Sequence, residues 1–171
     1  MVNREERYLF DCLDSNPTFG ELKKNGVNTL LQNIPKNKRK VFVDLGSGNG
    51  TVLKYVNLLD STFEKIIGIE LSQERYHYSF QNLKKQKRIQ LFCGDLLNFD
   101  IKNTNVIYIS NLCFNHSFNQ ILSKKIDREA QENTLVFVSQ KLELKRDYVM
   151  TKIIVEQSWD KKSILFKYEL F

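Results

Sequence analysis

Short apolar runs alternate along this chain with longer segments whose apolar residues recur every three or four positions. The runs read as buried strands: Val41 to Leu45, Lys65 to Ile69, Arg88 to Cys93, Val106 to Ser110 and Leu135 to Ser139. The periodic segments between them read as amphipathic helices. Thr51 to Leu59 follows the first strand, Ser72 opens the next as an N-cap with Tyr76, Phe80 and Leu83 as the buried stripe, and Phe118, Ile121, Leu122 and Ile126 mark another apolar face. Ahead of the first strand, Tyr8, Leu9, Cys12 and Leu13 place a helix over Arg4 to Leu13, and a second runs from Leu22 to Gln32 until Pro35 ends it. This alternation predicts an α/β fold, a parallel sheet covered by helices on both faces. The ending differs. Tyr148 to Gln157 and Ser163 to Phe171 are β-rich runs joined by Ser158-Trp159-Asp160-Lys161-Lys162, an antiparallel hairpin closing one edge.

Composition narrows the class without naming a chemistry. At 171 residues, 42% hydrophobic and 27% charged, the chain reads as one globular domain and as a monomer. No window holds the eighteen or so apolar residues that span a bilayer, and Met1-Val2-Asn3-Arg4-Glu5-Glu6-Arg7 lacks a signal-peptide core, so no membrane and an intracellular location, cytoplasmic or nuclear, are expected. Cys12, Cys93 and Cys113 lie far apart and read as reduced, buried thiols, with no metal site. A net charge of +6 points to an acidic partner. The clusters Lys36-Asn37-Lys38-Arg39-Lys40 and Lys84-Lys85-Gln86-Lys87-Arg88 are either solvated helix ends and loops or a surface that steers toward nucleic acid.

The chemistry begins at Asp44-Leu45-Gly46-Ser47-Gly48-Asn49-Gly50, where the first strand ends in a carboxylate and breaks into alternating glycines. Such a loop lets the backbone approach a ligand closely. It is not a dinucleotide fingerprint, because Thr51 stands where the third glycine of G-x-G-x-x-G would fall. Asp44 also faces away from that class, since it would repel a pyrophosphate on the following helix. A phosphate-free cofactor carrying an ammonium, such as S-adenosyl-L-methionine, gains from the same carboxylate. Glu70 ends the second strand at the distance where a carboxylate accepts from ribose hydroxyls. Asp95 would accept from the adenine amino group, with Leu71 and Leu96 against the ring faces, and Asn111 ends the fourth strand. Asn111 and Phe114 would hold the nucleophile, an Asn side-chain or backbone carbonyl orienting its N–H and the ring facing the developing cation.

Taken in order, Phe19-Gly20-Glu21-Leu22, Val41 to Gly50, Gly68-Ile69-Glu70, Gly94-Asp95, Asn105-Val106-Ile107-Tyr108 and Asn111-Leu112-Cys113-Phe114 resemble the cofactor and substrate motifs of the Dot1-like class I methyltransferases. The resemblance covers roughly Pro17 to Leu142. It implies a Rossmann-like domain with a mostly parallel, seven-stranded sheet: N-terminal helices and a cofactor loop over 1–35, the core over 40–142, and the hairpin over 145–171. By resemblance, Phe19 and Glu21 would contact the methionine end of S-adenosyl-L-methionine. Asn111 would touch the cofactor as well as the acceptor, and Asn111, Phe114 and Tyr168 would line a channel for a lysine amine of a protein, a histone or nucleosome among the candidates. The family's Asn-x-Phe-Ala-Phe-Gly becomes Asn111-Leu112-Cys113-Phe114-Asn115 here, and its long N-terminal helical region has no counterpart.

Two other readings compete. The ends of Asn111-Leu112-Cys113-Phe114 match an Asn-Pro-Pro-Phe/Tyr motif that presents planar amino groups of bases or glutamine, but the stiffening prolines are missing. A non-catalytic, cofactor-binding subunit is the third reading, and the run of motifs from Glu21 to Asn111 argues against it.

Overall fold

A computed structural model describes residues 20–171. The helix expected over Arg4 to Leu13, together with Cys12 and Phe19, lies outside the described residues. Strands β1 (Val41–Leu45), β2 (Lys65–Glu70), β3 (Ile89–Cys93), β4 (Val106–Ile109), β5 (Leu135–Val138), β6 (Tyr148–Val155) and β7 (Ser163–Leu170) alternate at first with α1 (Lys24–Gln32), α2 (Thr51–Leu59), α3 (Gln73–Leu83) and α4 (His116–Glu129). They form one sheet in the order β3-β2-β1-β4-β5-β7-β6. Strands β1 to β5 pair in parallel, and β7 runs antiparallel between β5 and β6. Because β2 lies on one side of β1 and β4 on the other, the strand order reverses beside β1, where open α/β sheets bind their ligands.

Alternation along each strand sorts side chains between two cores. Phe42, Ile66, Val106, Leu135, Phe137 and Leu165 meet α1, α2 and α3 on one face, while Val43, Ile69, Ile107, Val136 and Val138 meet α4 on the other. Strands β4 and β5 are buried at every position, which is why they read as unbroken apolar runs.

Two helical stripes sit differently from the sequence expectation. In α3, Ser79 and Leu83 are buried while Phe80 is exposed. The cause is close approach: a side chain at Gly50 would run into Leu83 and Ser79, so α3 docks through that pair and Phe80 turns outward beside Tyr76. In α4 the buried side is Phe118, Asn119, Leu122, Ser123 and Ile126, and Ile121 points to solvent. Ser72 does cap α3, accepting from Arg75 N at 3.3 Å. Cys93 is exposed on the edge strand β3 and Cys113 is half-buried, so neither is the core thiol expected. Among the described residues, no helix is long and apolar enough to cross a membrane.

Two arginines close the lower end of this sheet. Arg39 pairs with the buried Asp60 at 2.8 Å and donates to the carbonyls of Leu31 and Ile34 at the end of α1. Arg88 donates to the carbonyls of Asn57, Asp60 and Phe63 at the end of α2. Helix ends leave such carbonyls without intrahelical partners, and a guanidinium satisfies several at once. Replacing Arg39 with Met should lower unfolding stability by about 3 kcal/mol in urea titration, because Asp60 stays buried without its counter-charge. A loss under about 1 kcal/mol would show that water replaces the arginine at little cost.

Candidate active site

The glycine loop forms because three residues in it take left-handed backbone angles: Gly46 at φ 93°, Gly48 at φ 53° and Gly50 at φ 78°. That path brings Gly46 N and Ser47 N onto Ile69 O at 2.9 Å each, so the loop wraps the end of β2. Glu70 completes the wrap. Its carboxylate accepts from Gly48 N at 2.7 Å and from Ser72 N at 2.9 Å, joining the loop to the start of α3. The Glu70 carboxylate is 4% exposed and stands at the end of β2, beside the glycine loop.

Asp44 lies at the end of β1 and is 2% exposed. Burial pushes its carboxyl well above the usual range, and the nearby carboxylates of Glu70 and Glu21 push it further. Glu21 is also raised, by burial first, with Thr51 and Arg75 easing it back. Glu21 belongs to a strap, Gly20 to Lys23, that lies along the hairpin: Ser158 N donates to Glu21 O at 2.8 Å, Lys23 N to Glu156 O at 3.1 Å, and Leu22 bridges Gln157. Ser110 Oγ holds the other side of the strap, donating to Gly20 O at 3.0 Å.

The buried oxygens Asp44 Oδ1, Glu21 Oε1 and Ser47 Oγ have no hydrogen-bond partner. Buried acceptors in that state are unfavourable unless a donor reaches them. An ammonium on a phosphate-free cofactor supplies donors and positive charge together, so these residues fit the methionine end of S-adenosyl-L-methionine. Among the described residues, no His/Cys/Asp/Glu group could hold a metal ion.

Other expected site residues have different settings. Asp95 caps its own short turn, accepting from Leu97 N at 2.8 Å and from Asn98 Nδ2 at 3.4 Å. Leu96 is buried with Ile69 and Ile101, whereas Leu71 keeps a half-exposed side chain near that end. Asn49 is half-exposed in the loop. The side chain of Asn111 is committed within the protein. It is fully buried, its Oδ1 accepts from Ser139 N and Gln140 N at 2.9 and 2.8 Å, and its Nδ2 donates to Asn119 Oδ1 and Gln140 O. That leaves its side chain nothing to offer a substrate; it ties the ends of β4 and β5 to α4. Phe114 is half-buried and packs edge-on against Phe118, centroids 4.7 Å apart. Tyr168 does not border the site. It is 1% exposed in the α4-side core, paired with Val136 mid-strand, and its hydroxyl is hydrogen-bonded to Leu142 N at 3.0 Å.

A row of residues not foreseen from the sequence continues the site. Among the described residues, the buried unpartnered oxygens are those of Glu21, Asp44, Ser47, Tyr108, Ser139, Gln157 and Ser163. Period-two alternation from Phe42, Val106, Phe137, Val155 and Leu165 puts Asp44, Tyr108, Ser139, Gln157 and Ser163 on the α1-side face, at the end where β1, β4 and β5 finish. Ser110 shares that face. The signal was available, since each residue continues an apolar alternation with a polar side chain, but it means something only once the strand order makes the five neighbours. Tyr108 stands directly beside Asp44. Burial and that carboxylate raise its hydroxyl far above the usual value, with Ser110 easing it slightly, so Tyr108 stays protonated.

The family described as Histone methylation protein DOT1 matches residues 12–162. Among solved structures, an RNA methyltransferase from Salinibacter ruber in complex with S-adenosyl-L-homocysteine is similar at a TM-score of 0.63 and 19% identity, over 84% of this chain and 88% of that one. A methyltransferase from Geobacter sulfurreducens gives 0.64 and 15%, over 98% and 87%. The B. subtilis tRNA methyltransferase TrmK gives 0.64 and 17%, over 88% and 68%. These identities speak to the fold, a Rossmann-like methyltransferase sheet. No curated protein matches the sequence.

Two outcomes follow from the geometry. Because the Asp44 carboxyl is raised in the folded protein, its contribution to ligand-free stability is present at acid pH and is lost as pH rises from about 4 through the raised value. Asp44→Asn should therefore leave ligand-free stability equal or higher at neutral pH, while S-adenosyl-L-methionine binds about tenfold or more weakly by calorimetry. Unchanged affinity would remove the ammonium from this position. Asn111→Ala should destabilise by about 3 kcal/mol in urea titration, since the Ser139 and Gln140 amides lose their acceptor. A fully stable variant with lowered turnover would instead restore Asn111 to the chemistry.

Proposed function

The chain belongs to the DOT1 histone methylation family and is an S-adenosyl-L-methionine-dependent methyltransferase; on that premise we propose that its acceptor is a protein lysine amine, a histone lysine among the candidates. The observation that carries this reading is the set of buried, unpartnered oxygens on Tyr108, Ser139, Ser163 and Gln157, on the same face of the sheet as Asp44, with Tyr108 its strand neighbour. A neutral amine carries N–H donors and must point its lone pair at the methyl group. Acceptor oxygens are what such a nitrogen needs around it.

A planar base would need something else, a flat aromatic face to stack on. Phe114 gives little support to that, with its ring edge-on against Phe118 and no proline in the turn that carries it. When bound, S-adenosyl-L-methionine supplies an electrophilic methyl on a positively charged sulfur. Glu21 and Asp44 would favour the positive charge of the bound cofactor, and the buried oxygens on the same face would favour the charge that develops on the acceptor nitrogen. Tyr108 stays protonated and is no general base, so the amine arrives already neutral.

The test is a transfer of radiolabelled methyl from S-adenosyl-L-methionine to nucleosomes, free histones, total protein, RNA and DNA. The label should appear on lysine in protein; label confined to RNA or DNA would overturn the reading. With a lysine acceptor, kcat/KM should rise close to tenfold per pH unit between about pH 7 and 9, tracking loss of the proton from a group whose ordinary pKa is about 10.4. A plateau from pH 7 upward would argue for a different acceptor.

A further inference from the structure

Asn111 to Phe114 form the turn that follows β4, at the ligand end of the sheet. Ser110, directly before it, donates to Gly20 O in the strap that carries Glu21, and Tyr108 is the strand neighbour of Asp44. The strand order reverses beside β1, so this turn borders the crevice where ligands of such sheets bind. Its internal hydrogen bond runs from Phe114 N to Asn111 O at 3.1 Å. No proline stiffens the turn, and Leu112 in it is 41% exposed. Loops held that lightly move on nanosecond to microsecond timescales.

Two amide side chains from elsewhere in the fold take hold of its carbonyls. Gln140, just past β5, donates from Nε2 to Leu112 O at 2.7 Å, and Asn119, in α4, donates from Nδ2 to Phe114 O at 3.2 Å. The two also bond each other, Asn119 Nδ2 donating to Gln140 Oε1 at 3.0 Å, while Asn119 Oδ1 accepts from Asn111 Nδ2 at 2.8 Å. Asn119 lies on the buried side of α4 with Phe118, Leu122 and Ile126. The start of that helix does not need its amide, since Asn115 is the cap and accepts from Phe118 N at 2.8 Å. A polar side chain on an apolar helix face is unfavourable unless its hydrogen bonds are met, and meeting them here fixes the turn.

We propose that Asn119 and Gln140 are positioning residues for methyl transfer, holding the backbone of Asn111 to Phe114 in the one conformation that receives the acceptor. Prolines stiffen a turn by fixing φ. Here the amides of α4 and of the β5 end do so by fixing the carbonyls of Leu112 and Phe114. The consequence for the reaction is geometric, because the attacking nitrogen must sit about 3 to 3.5 Å from the methyl carbon and in line with its bond to sulfur. Asn119 and Gln140 act through the turn and take no part in the hydrogen bonds of Glu70 to the glycine loop. Such positioning requires methyl transfer at this end of the sheet, whichever nitrogen accepts.

Radiolabelled methyl transfer tests this on the full chain, the acceptor being whichever of nucleosomes, total protein, RNA or DNA it labels. Gln140→Met keeps the side-chain length and the backbone groups that Asn111 bonds, and removes the bonds to Leu112 and Asn119. It should lower kcat about 30-fold, the scale expected for a reacting atom misplaced by somewhat under 1 Å, while Kd for S-adenosyl-L-methionine by calorimetry moves less than about threefold. Leu112→Pro added to Gln140→Met should recover about fivefold of that loss, since proline suits the second residue of a turn and fixes its φ. Asn119→Leu removes both donors of that amide and should lower kcat further. Positioning by these amides is overturned if Gln140→Met keeps kcat within about threefold, if it weakens cofactor binding as much as it lowers kcat, or if the added proline restores nothing. The expected ratios are the same whether the label goes to protein or to nucleic acid, so failure here and failure of the lysine reading are told apart.

Discussion

One carboxylate holds the ligand end of this molecule in shape. Glu70 accepts from Gly48 N and Ser72 N, so the glycine loop after β1 and the first turn of α3 are fastened to the end of β2. The loop cannot satisfy the Gly48 amide itself, because its left-handed glycines turn that N–H away from any regular ladder. Everything at the site is placed relative to that fastening. The positions of Ser47 over Gly68, of α3 against Gly50, and of Asp44 beneath the loop all follow.

Against that fixed frame, Asp44 is the unfavourable element. A carboxyl buried between neighbours of the same sign is destabilising, and a fold retains it where a cationic ligand recovers the loss. The strap brings Glu21 to the same place through the hairpin, so the last two strands, although far from the glycine loop in sequence, help to hold Glu21 near Asp44. Gly26 shows how tight that docking is: a side chain there would strike the Glu156 carbonyl. The strap that carries Glu21 and the C-terminal hairpin are in this way mechanically linked.

The row from Asp44 to Gln157 and the gathering of Lys40, Lys65 and Lys87 arise from one geometric fact, that parallel strands share a direction. Residues that finish β1, β4 and β5 meet at one end, joined by those flanking the hairpin, and the basic residues that precede β1, β2 and β3 meet at the other. The glycine loop and these lysines therefore lie at opposite ends of the same sheet. Asn111 shows how a residue at the functional end can be structural all the same. Its amide is spent on binding β5 and α4 to the end of β4, so its contribution is to keep the row in register.

Much of this was legible in the chain itself. Apolar runs and glycine-carboxylate spacing determined the alternating elements, the loop of Gly46, Gly48 and Gly50, the second carboxylate Glu70 and the class of cofactor, because these depend on local backbone geometry and on short separations. Helix faces were legible only in part: Phe80 and Ile121 have helical spacing yet point outward, since the buried side is chosen by how closely a neighbour approaches. Tyr168 was misplaced for a related reason, as a side chain's availability depends on partners remote in sequence, here Leu142; the engagement of the Asn111 side chain by the β5 end is of the same kind. The gathering of Tyr108, Ser139, Ser163 and Gln157, and of Lys40, Lys65 and Lys87, was decided by tertiary structure alone. Strand order and register set those neighbours, and neither is a property of any local stretch of sequence.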